Sequence, residues 1–540
     1  MKKIGNTGSF KKFYLNDQIY VDKTEYIYNL INNEARVFIS RPRRFGKSLT
    51  LDTIATLFET GVEPYFKGTW IYDKWTEPTY PVLRLSFLNL DNSSLDLFKK
   101  QLNSIISEFA IKISVKGYVE KTEPEDSIGH LLEQLRFENR QIVILIDEYD
   151  YQLTSNINNE ELYKQFQKEL QNIYNNLKDK WAIKFLLITG VTKTKNSSVF
   201  SGTDINDITN YSPYSQMIGF TRDEIKKYYI DYLKLAASYE NNCAVDEITD
   251  DKLESMFDKL EEQYGGYCFD EDYEKKVFNT WSVNEFFQSV VSNKFVYFGE
   301  YWYDNGGVPK ILSDFVKNNE QELFDSILKG KFISVPTSDL KFPPSLISIN
   351  PKVLMCQTGY LTLRSDLNKT STVALGIPNG EIYKALNRLL ATNIFKGNTD
   401  ITDDYGRSLL EVGTVDDIIN LFNSALNSVS YDNYPIVSES SVQNMLKLYL
   451  LGAHQKVLSE VHEAKGRADL VVNTDNRRIV FEFKYAKNET EAKSKLLDAV
   501  EQIKTRDYGN IVPKKTELLR IATVFNADPK VRAFTEFQLV

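Results

Sequence analysis

Gly46, Lys47 and Ser48 close the stretch Arg41-Pro-Arg-Arg-Phe-Gly-Lys-Ser, and the chemistry of that arrangement is anion binding. Backbone N–H groups curled at a helix N-terminus hold phosphate oxygens, a lysine reaches the terminal phosphates and a hydroxyl holds Mg²⁺. Val37-Phe-Ile-Ser40 ahead of the loop reads as a strand and Leu49 begins a helical pattern behind it, which is the context such a loop needs. Arg43, Arg44, Gly46, Lys47, Ser48 and Leu49 are therefore the candidate phosphate contacts. Arg41 stands where the usual loop has its first glycine, so it is expected to avoid positive φ, with Pro42 fixing its own φ at about −65°. Three clustered guanidiniums repel, so at least one of Arg41, Arg43 and Arg44 is expected to face bound phosphate. Taken alone, the segment also fits a basic turn that caps a helix.

Ile142-Val-Ile-Leu-Ile146 runs into Asp147-Glu148, an apolar strand that delivers two carboxylates to its C-terminal end. Beside a phosphate loop, the first acid completes a metal shell and the second polarises the attacking water. Asp147 is thus a candidate metal and cofactor ligand, and Glu148 a candidate catalytic base. Thr189 or Thr192, after Phe185-Leu-Leu-Ile, is a candidate sensor of the terminal phosphate.

A second set lies near the C-terminus. Glu460 precedes Lys465-Gly-Arg-Ala-Asp469, and Ile479-Val-Phe-Glu482-Phe-Lys484 follows. On a strand, Val480, Glu482 and Lys484 share one face while Ile479, Phe481 and Phe483 take the other. Metal-assisted phosphodiester hydrolysis uses clustered carboxylates and a nearby lysine. Asp469, Glu482 and Lys484 fit that triad, and Glu460 could add a metal ligand. Register decides between two outcomes. A tight turn at Asp475-Asn476 puts Asp469 across from Glu482, where like charges call for a cation. A turn one residue later puts Asp469 across from Lys484, an ordinary ion pair.

Elements of this kind imply layers of sheet and helix. Helical patterns alternating with apolar strand-like runs over the first 220 residues predict an α/β domain with a parallel sheet. Asp22-Lys-Thr-Glu25 and Thr221-Arg-Asp-Glu224 both read as capping boxes. From Gly219 to Ile349 the pattern is mostly helical, and the last hundred residues read as a helix, a hairpin, a long helix and a last strand near Leu518–Val524. The expected domains are residues 1–218, a helical lid over 219–349, a connecting region over 350–436 and a final domain over 437–540.

Composition frames this reading. The 540 residues are 42% hydrophobic and 26% charged, which excludes a fibrous or largely disordered chain. Three scattered cysteines (Cys243, Cys268, Cys356) make neither a disulfide framework nor a metal pattern. No apolar run reaches the roughly 20 residues that span a bilayer, so no membrane partner and a cytoplasmic location are expected. The chain carries 65 Lys and Arg against 74 Asp and Glu, yet from Ser441 to Val540 the count reverses to 17 against 13. A basic segment on an acidic chain points to a polyanion partner.

Tyr20-Val-Asp-Lys-Thr24, Ser40-Arg-Pro-Arg-Arg-Phe-Gly-Lys-Ser48 and Ile146-Asp-Glu-Tyr-Asp150 together resemble the bacterial AAA-ATPase-like family, in which Arg-Pro-Arg-Arg-Phe precedes Gly-Lys-Ser. Thr189-Gly-Val191, Phe200-Ser-Gly202, Gly219-Phe-Thr221 and Gln357-Thr-Gly-Tyr-Leu361 are also similar to its pattern. The resemblance implies an α/β multidomain chain: a P-loop NTPase with a parallel sheet, a helical lid and connecting region, and a C-terminal restriction-endonuclease-like domain of the PD-(D/E)XK superfamily, with Gln502 at an accessory position. The expected cofactors are ATP and Mg²⁺, with Mn²⁺ an alternative at the second site. The expected partner is nucleic acid, DNA and RNA being undistinguished, and homo-oligomerisation stays open. The expected function is that of an ATP-binding and ATP-hydrolysing protein with a metal-dependent nuclease-like domain acting on nucleic acid, in defence or mobile-element biology. The alternative is a nucleotide-switched signalling or scaffold protein whose nuclease-like domain binds without cutting.

Overall fold

The computed structural model describes the whole chain apart from residues 179, 195–204, 303–331, 396–403, 433, 453–455, 464–465, 475 and 507–516, and apart from the side chains of 393, 404–407 and 453–467. Phe200-Ser-Gly202, the side chain of Glu460 and the conformation of Asp475 therefore lie outside the described residues. The chain is an α/β multidomain protein of two compact units, one of residues 1–311 with 332–382, the other of 312–331 with 383–540.

In the first unit, β1 (Arg36–Ser40), β2 (Val82–Ser86), β3 (Ile142–Asp147), β4 (Ile183–Gly190) and β5 (Asn206–Asp207) form a parallel sheet in the order β2-β3-β4-β1-β5. The uninterrupted apolar runs of β3 and β4 suit strands covered on both faces: Ile144, Ile146, Leu186 and Ile188 are fully buried. Each such side chain contributes about 1.5–3 kcal/mol relative to exposure. Helices Leu95–Lys112, Pro124–Phe137 and Glu160–Leu177 pack against the sheet core. The pairs Ser40–Gly190 and Ser86–Asp147 align the C-terminal strand ends along one edge. Ligands of open parallel sheets bind at that edge.

Helices Arg222–Tyr228, Ile230–Asn241, Asp250–Tyr264 and Thr280–Asn293 build a second core in the same unit, where Tyr229 stacks on Phe287 at 5.4 Å. Ile19 and Val21 from the N-terminal segment complete that core. Thr221 and Glu224 form the expected capping box. Asp22–Glu25 does not. Helix Thr24–Asn33 has Lys23 at its cap, and Asp22 instead accepts from Thr24 N (2.9 Å) and, with its other oxygen, from Trp70 N (2.6 Å). The competing tertiary donor draws Asp22 off the helix axis. The expected helical stretch also contains a strand: β6 (Ile333–Pro336) pairs with β8 (Thr372–Gly376), which pairs with β7 (Thr362–Leu363).

The second unit contains a five-stranded mixed sheet, β13-β12-β11-β10-β9, of β9 (Lys456–Glu463), β10 (Gly466–Asn473), β11 (Arg477–Ala486), β12 (Glu517–Asn526) and β13 (Ala533–Leu539). β9 and β13 are additions to the expected hairpin and single last strand. Their alternating, half-polar sequences take strand form because a neighbouring edge is there to pair with. β11 and β12 run parallel, joined through helix Glu489–Arg506, whose Ala499, Val500 and Ile503 pack on Val471, Val480 and Ala522. Phe481 and Phe483 lie on the opposite face, against Phe422 and Phe534.

Candidate functional site

The loop between β1 and helix Lys47–Thr60 turns on Gly46, whose φ of 105° is open to glycine and strained for other residues. Arg41 is not among the residues of positive φ, whereas Arg44 is, at 68°. Lys47 is 6% exposed and its Nζ donates to Arg41 O and Pro42 O, both at 2.8 Å. Burial pulls the Lys47 ammonium down, opposed by Asp147, Asp150 and Glu148. Ser48 Oγ donates to Asp147 Oδ2 at 2.5 Å, and Thr189 Oγ1 to Asp147 Oδ1 at 2.6 Å. The hydroxyl and carboxylate that would share a cation are therefore already adjacent. β4 lies between β1 and β3, which is why its Thr189 reaches Asp147. Thr192 is turned away and donates to Asp150 at 2.5 Å.

Glu148 follows Asp147 with φ 54°, a conformation that aims its carboxylate out of the strand direction. Its Oε2 is buried and has no hydrogen-bond partner among the described residues. Burial, then the Asp147 charge, raises its pKa. Arg43, Arg44, Gly46, Lys47, Ser48, Leu49 and Glu148 line one cavity of about 730 Å³. Its apolar part is built from Ile19, Val21, Ile27, Met217 and Phe220. These residues were missed in the sequence, where they carry no signature beyond apolarity.

The three loop arginines separate. Arg41 is 1% exposed, donates to the carbonyls of Ser40 (2.9 Å) and Thr209 (2.6 Å), and lies over Phe269. Burial pulls its pKa down to about 9. It is a structural strut and does not face a phosphate. Arg44 lies 4.1 Å over Trp281, while its carbonyl accepts from Thr280. Arg43 stays exposed, its carbonyl held by Trp302 Nε1 at 3.0 Å. Gln357 brackets the backbone of Lys193 with two hydrogen bonds, and Gly359 lies so near Pro42 that a Cβ there would meet its ring at 2.9 Å. The Gln357–Leu361 motif thus braces both the phosphate loop and the turn after β4.

In the second unit, Asn473–Arg478 through Leu470–Phe481 are opposed pairs, so one step further Asp469 stands opposite Glu482. Ala468–Val461 and Leu470–Ser459 flank the place where the backbone of Glu460 meets that of Asp469. Glu482 is fully buried: Oε1 accepts from Lys484 Nζ at 2.8 Å, and Oε2 has no partner among the described residues. Burial, then Asp469, pushes its pKa up to about 7. Burial alone would pull Lys484 down, but Glu482, Glu439 and Asp469 hold its charge up. Asp469 Oδ2 accepts from Phe483 N at 2.9 Å. Glu439, first residue of helix Glu439–Gly452, lies 3.7 Å from Lys484 Nζ. It escaped notice because an acid in a first helical turn is ordinary. Gln502 sits half-buried on helix Glu489–Arg506. An orphaned buried oxygen facing a second carboxylate fits a divalent cation.

None of the described helices is long and apolar enough to cross a membrane. The chain is 27% identical over 529 residues to "Uncharacterized protein in vnfD 5'region" of Azotobacter chroococcum mcd 1, covering 95% of this chain and 94% of that one. Among solved structures it is similar to Cdc6p from Pyrobaculum aerophilum (12% identity, 68% of this chain and 92% of that one, TM-score 0.23) and to the ORC2 protein of Aeropyrum pernix (10%, 68% and 91%, 0.27). At such TM-scores the likeness carries no functional weight. Family models match at both ends, and the chain carries a predicted AAA-ATPase domain at residues 4–200 and a PD-(D/E)XK nuclease superfamily domain at residues 437–534.

Proposed function

We propose that the first unit binds and hydrolyses ATP and that the C-terminal domain is a metal-dependent phosphodiesterase acting on nucleic acid. The observation that carries the first half is the Ser48–Asp147 contact of 2.5 Å beside the partnerless Glu148 Oε2. In this reading residues 1–218 are the ATPase module, 219–349 its lid, 350–436 the connection and 437–540 the nuclease-like domain. The loop amides and Lys47 hold the β- and γ-phosphates, Ser48 and Asp147 hold Mg²⁺, and Glu148 takes the proton of the attacking water. Bound there, the ion would neutralise charge on the phosphate oxygens. Thr189 positions Asp147. The cavity's apolar half takes the base.

At the second site Asp469 and Glu482, with Glu460, are the proposed metal ligands, and Lys484 steadies the charge that develops on the scissile phosphate. A divalent cation would supply an activated water. The excess of basic residues after Ser441 favours a nucleic-acid substrate. Pairing a nucleotide module with such a domain suits defence against foreign nucleic acid. The test is incubation of the full chain with linear, circular and single-stranded DNA and RNA, with Mg²⁺ or Mn²⁺, with and without ATP. Cleavage by wild type that Glu482→Gln abolishes supports the reading. Binding without cleavage under every condition supports the scaffold alternative.

A further inference from the structure

We propose that Tyr229 reads the base of the bound nucleotide, offering its hydroxyl oxygen as an acceptor that a 6-amino group can meet and a 6-oxo group cannot. The cavity then takes adenine nucleotides and discriminates against those of hypoxanthine and guanine. This rests on the ATP-binding reading above and deepens it by naming the residue that chooses the base.

The acceptor character is dictated by a carboxylate at the far end of a hydrogen-bond chain. Glu285 offers only acceptor oxygens, so Asn6 must turn its amide nitrogen toward it, and Nδ2 donates to Glu285 Oε1 at 2.5 Å. Asn6 Oδ1 is then left to accept, and it does so from Asn284 Nδ2 at 2.9 Å. The same nitrogen donates to Gly5 O at 3.4 Å. Asn284 therefore presents its own Oδ1 to Tyr229, whose hydroxyl donates to it at 2.6 Å. A phenol has one proton to give. With that proton spent on Asn284, the Tyr229 oxygen has only lone pairs left for a ligand.

Position agrees with this role. Asn6, Tyr229 and Asn284 all line the cavity of about 730 Å³ that also holds the phosphate loop. Thr280 donates to Arg44 O of that loop, and Asn284 follows one turn, about 6 Å, along helix Thr280–Asn293. That remove from the phosphates is where a base lies, across the ribose. Tyr229 is 1% exposed and Asn284 6%, so bulk water does not compete for the pair, and the Tyr229 ring is fixed by its stack on Phe287. Lys23, a cavity lysine that would suit a 6-oxo group, is instead held by Glu224 Oε2 and Gln216 O, both at 2.7 Å. A 6-amino group donates to the Tyr229 oxygen and completes the chain. A 6-oxo group meets lone pairs with lone pairs, unless the hydroxyl turns and leaves Asn284 Oδ1 buried without a donor.

The test is calorimetry on the full chain with Mg²⁺ and ADP, IDP or GDP, diphosphates whose binding no turnover complicates. Wild type should hold ADP about 10–100-fold more tightly than IDP or GDP, the factor that one buried acceptor left unpaired produces. Tyr229→Phe keeps the ring and removes the oxygen, so ADP should weaken and the ADP-to-IDP ratio should fall to within about threefold. Asn284→Ala removes the acceptor that spends the tyrosine proton, so IDP should bind more tightly than it does to wild type. A merely structural residue would not give that gain. Wild type that binds ADP and IDP within about threefold, or prefers IDP or GDP, would overturn the proposal and leave the ATPase reading standing. A folded Tyr229→Phe with the wild-type ratio, or a folded Asn284→Ala without the gain in IDP affinity, would do the same. Should neither variant fold, the wild-type ratio decides alone. A wild type that binds no nucleotide would overturn both.

Discussion

Carried one residue past the paired Leu470 and Phe481, the register sets Asp469 across β10–β11 from Glu482, and the backbone N–H of Phe483 donates to the Asp469 carboxylate at 2.9 Å. Two acids on one face of a paired strand repel unless one is protonated or a cation lies between them. Among the described residues, Lys484 satisfies one oxygen of Glu482 and the other has no partner. Glu482→Gln keeps that acceptor and removes the repulsion. Without divalent ions the variant should therefore match wild type in stability to within about 1 kcal/mol. Mn²⁺ should raise the thermal midpoint of wild type and leave that of the variant unmoved. An equal Mn²⁺ shift in both proteins would remove the metal site.

Lys47→Ala and Glu148→Gln should fail in different ways. The first removes the one buried ammonium in the phosphate loop and should abolish ATP binding with the fold retained. The second keeps the shape of a side chain that no described group holds by its Oε2, so affinity should persist while turnover falls about 10²–10⁴-fold. Binding by calorimetry and phosphate release separate the two. Equal ATP affinity in wild type and Lys47→Ala would sink the assignment.

Gly359→Ala tests the brace behind the phosphate loop. Gly359 has φ 93°, and an added Cβ would lie 2.9 Å from Cβ of Pro42. The residue must strain or push the loop, at a cost of about 1–3 kcal/mol. Reduced thermal stability together with about tenfold weaker ATP binding is expected, although residue 359 is far from the loop in sequence. Unchanged affinity would show that the brace does not bear on the site.

A separate prediction concerns pH. Glu169 is 3% exposed, and burial followed by the charge of Glu125 raises its pKa to about 7, with Lys99 opposing at 3.0 Å. The folded state then holds a proton between pH 5 and 7 that the unfolded chain releases, since an ordinary glutamate titrates at about 4.3. This group's contribution to stability therefore falls as pH rises through that window. Glu169→Gln should show a smaller drop in thermal midpoint from pH 5 to pH 8 than wild type. A drop as large as that of wild type would refute it.

Much of both sites was written locally. The Gly46-Lys47-Ser48 step after a strand, the acids ending β3 and the alternation of Val480, Glu482 and Lys484 each follow from short-range geometry, because a strand's faces and a helix N-terminus are properties of consecutive residues. Even the β10–β11 register was decidable between two turns, and Thr474 N donating to Arg477 O at 2.8 Å closes the earlier one. Tertiary structure decided the rest. Three neighbouring arginines look alike in sequence, and only Thr209, Trp281 and Trp302, distant in the chain, bury the first, lay the third along an indole ring and hold the second by its backbone carbonyl. Glu439 joined Lys484 by helix packing, and Asp22 left its helix for Trp70 N. A charged side chain's partner is set by whichever groups folding brings within about 3 Å, and spacing along the chain holds no record of that distance.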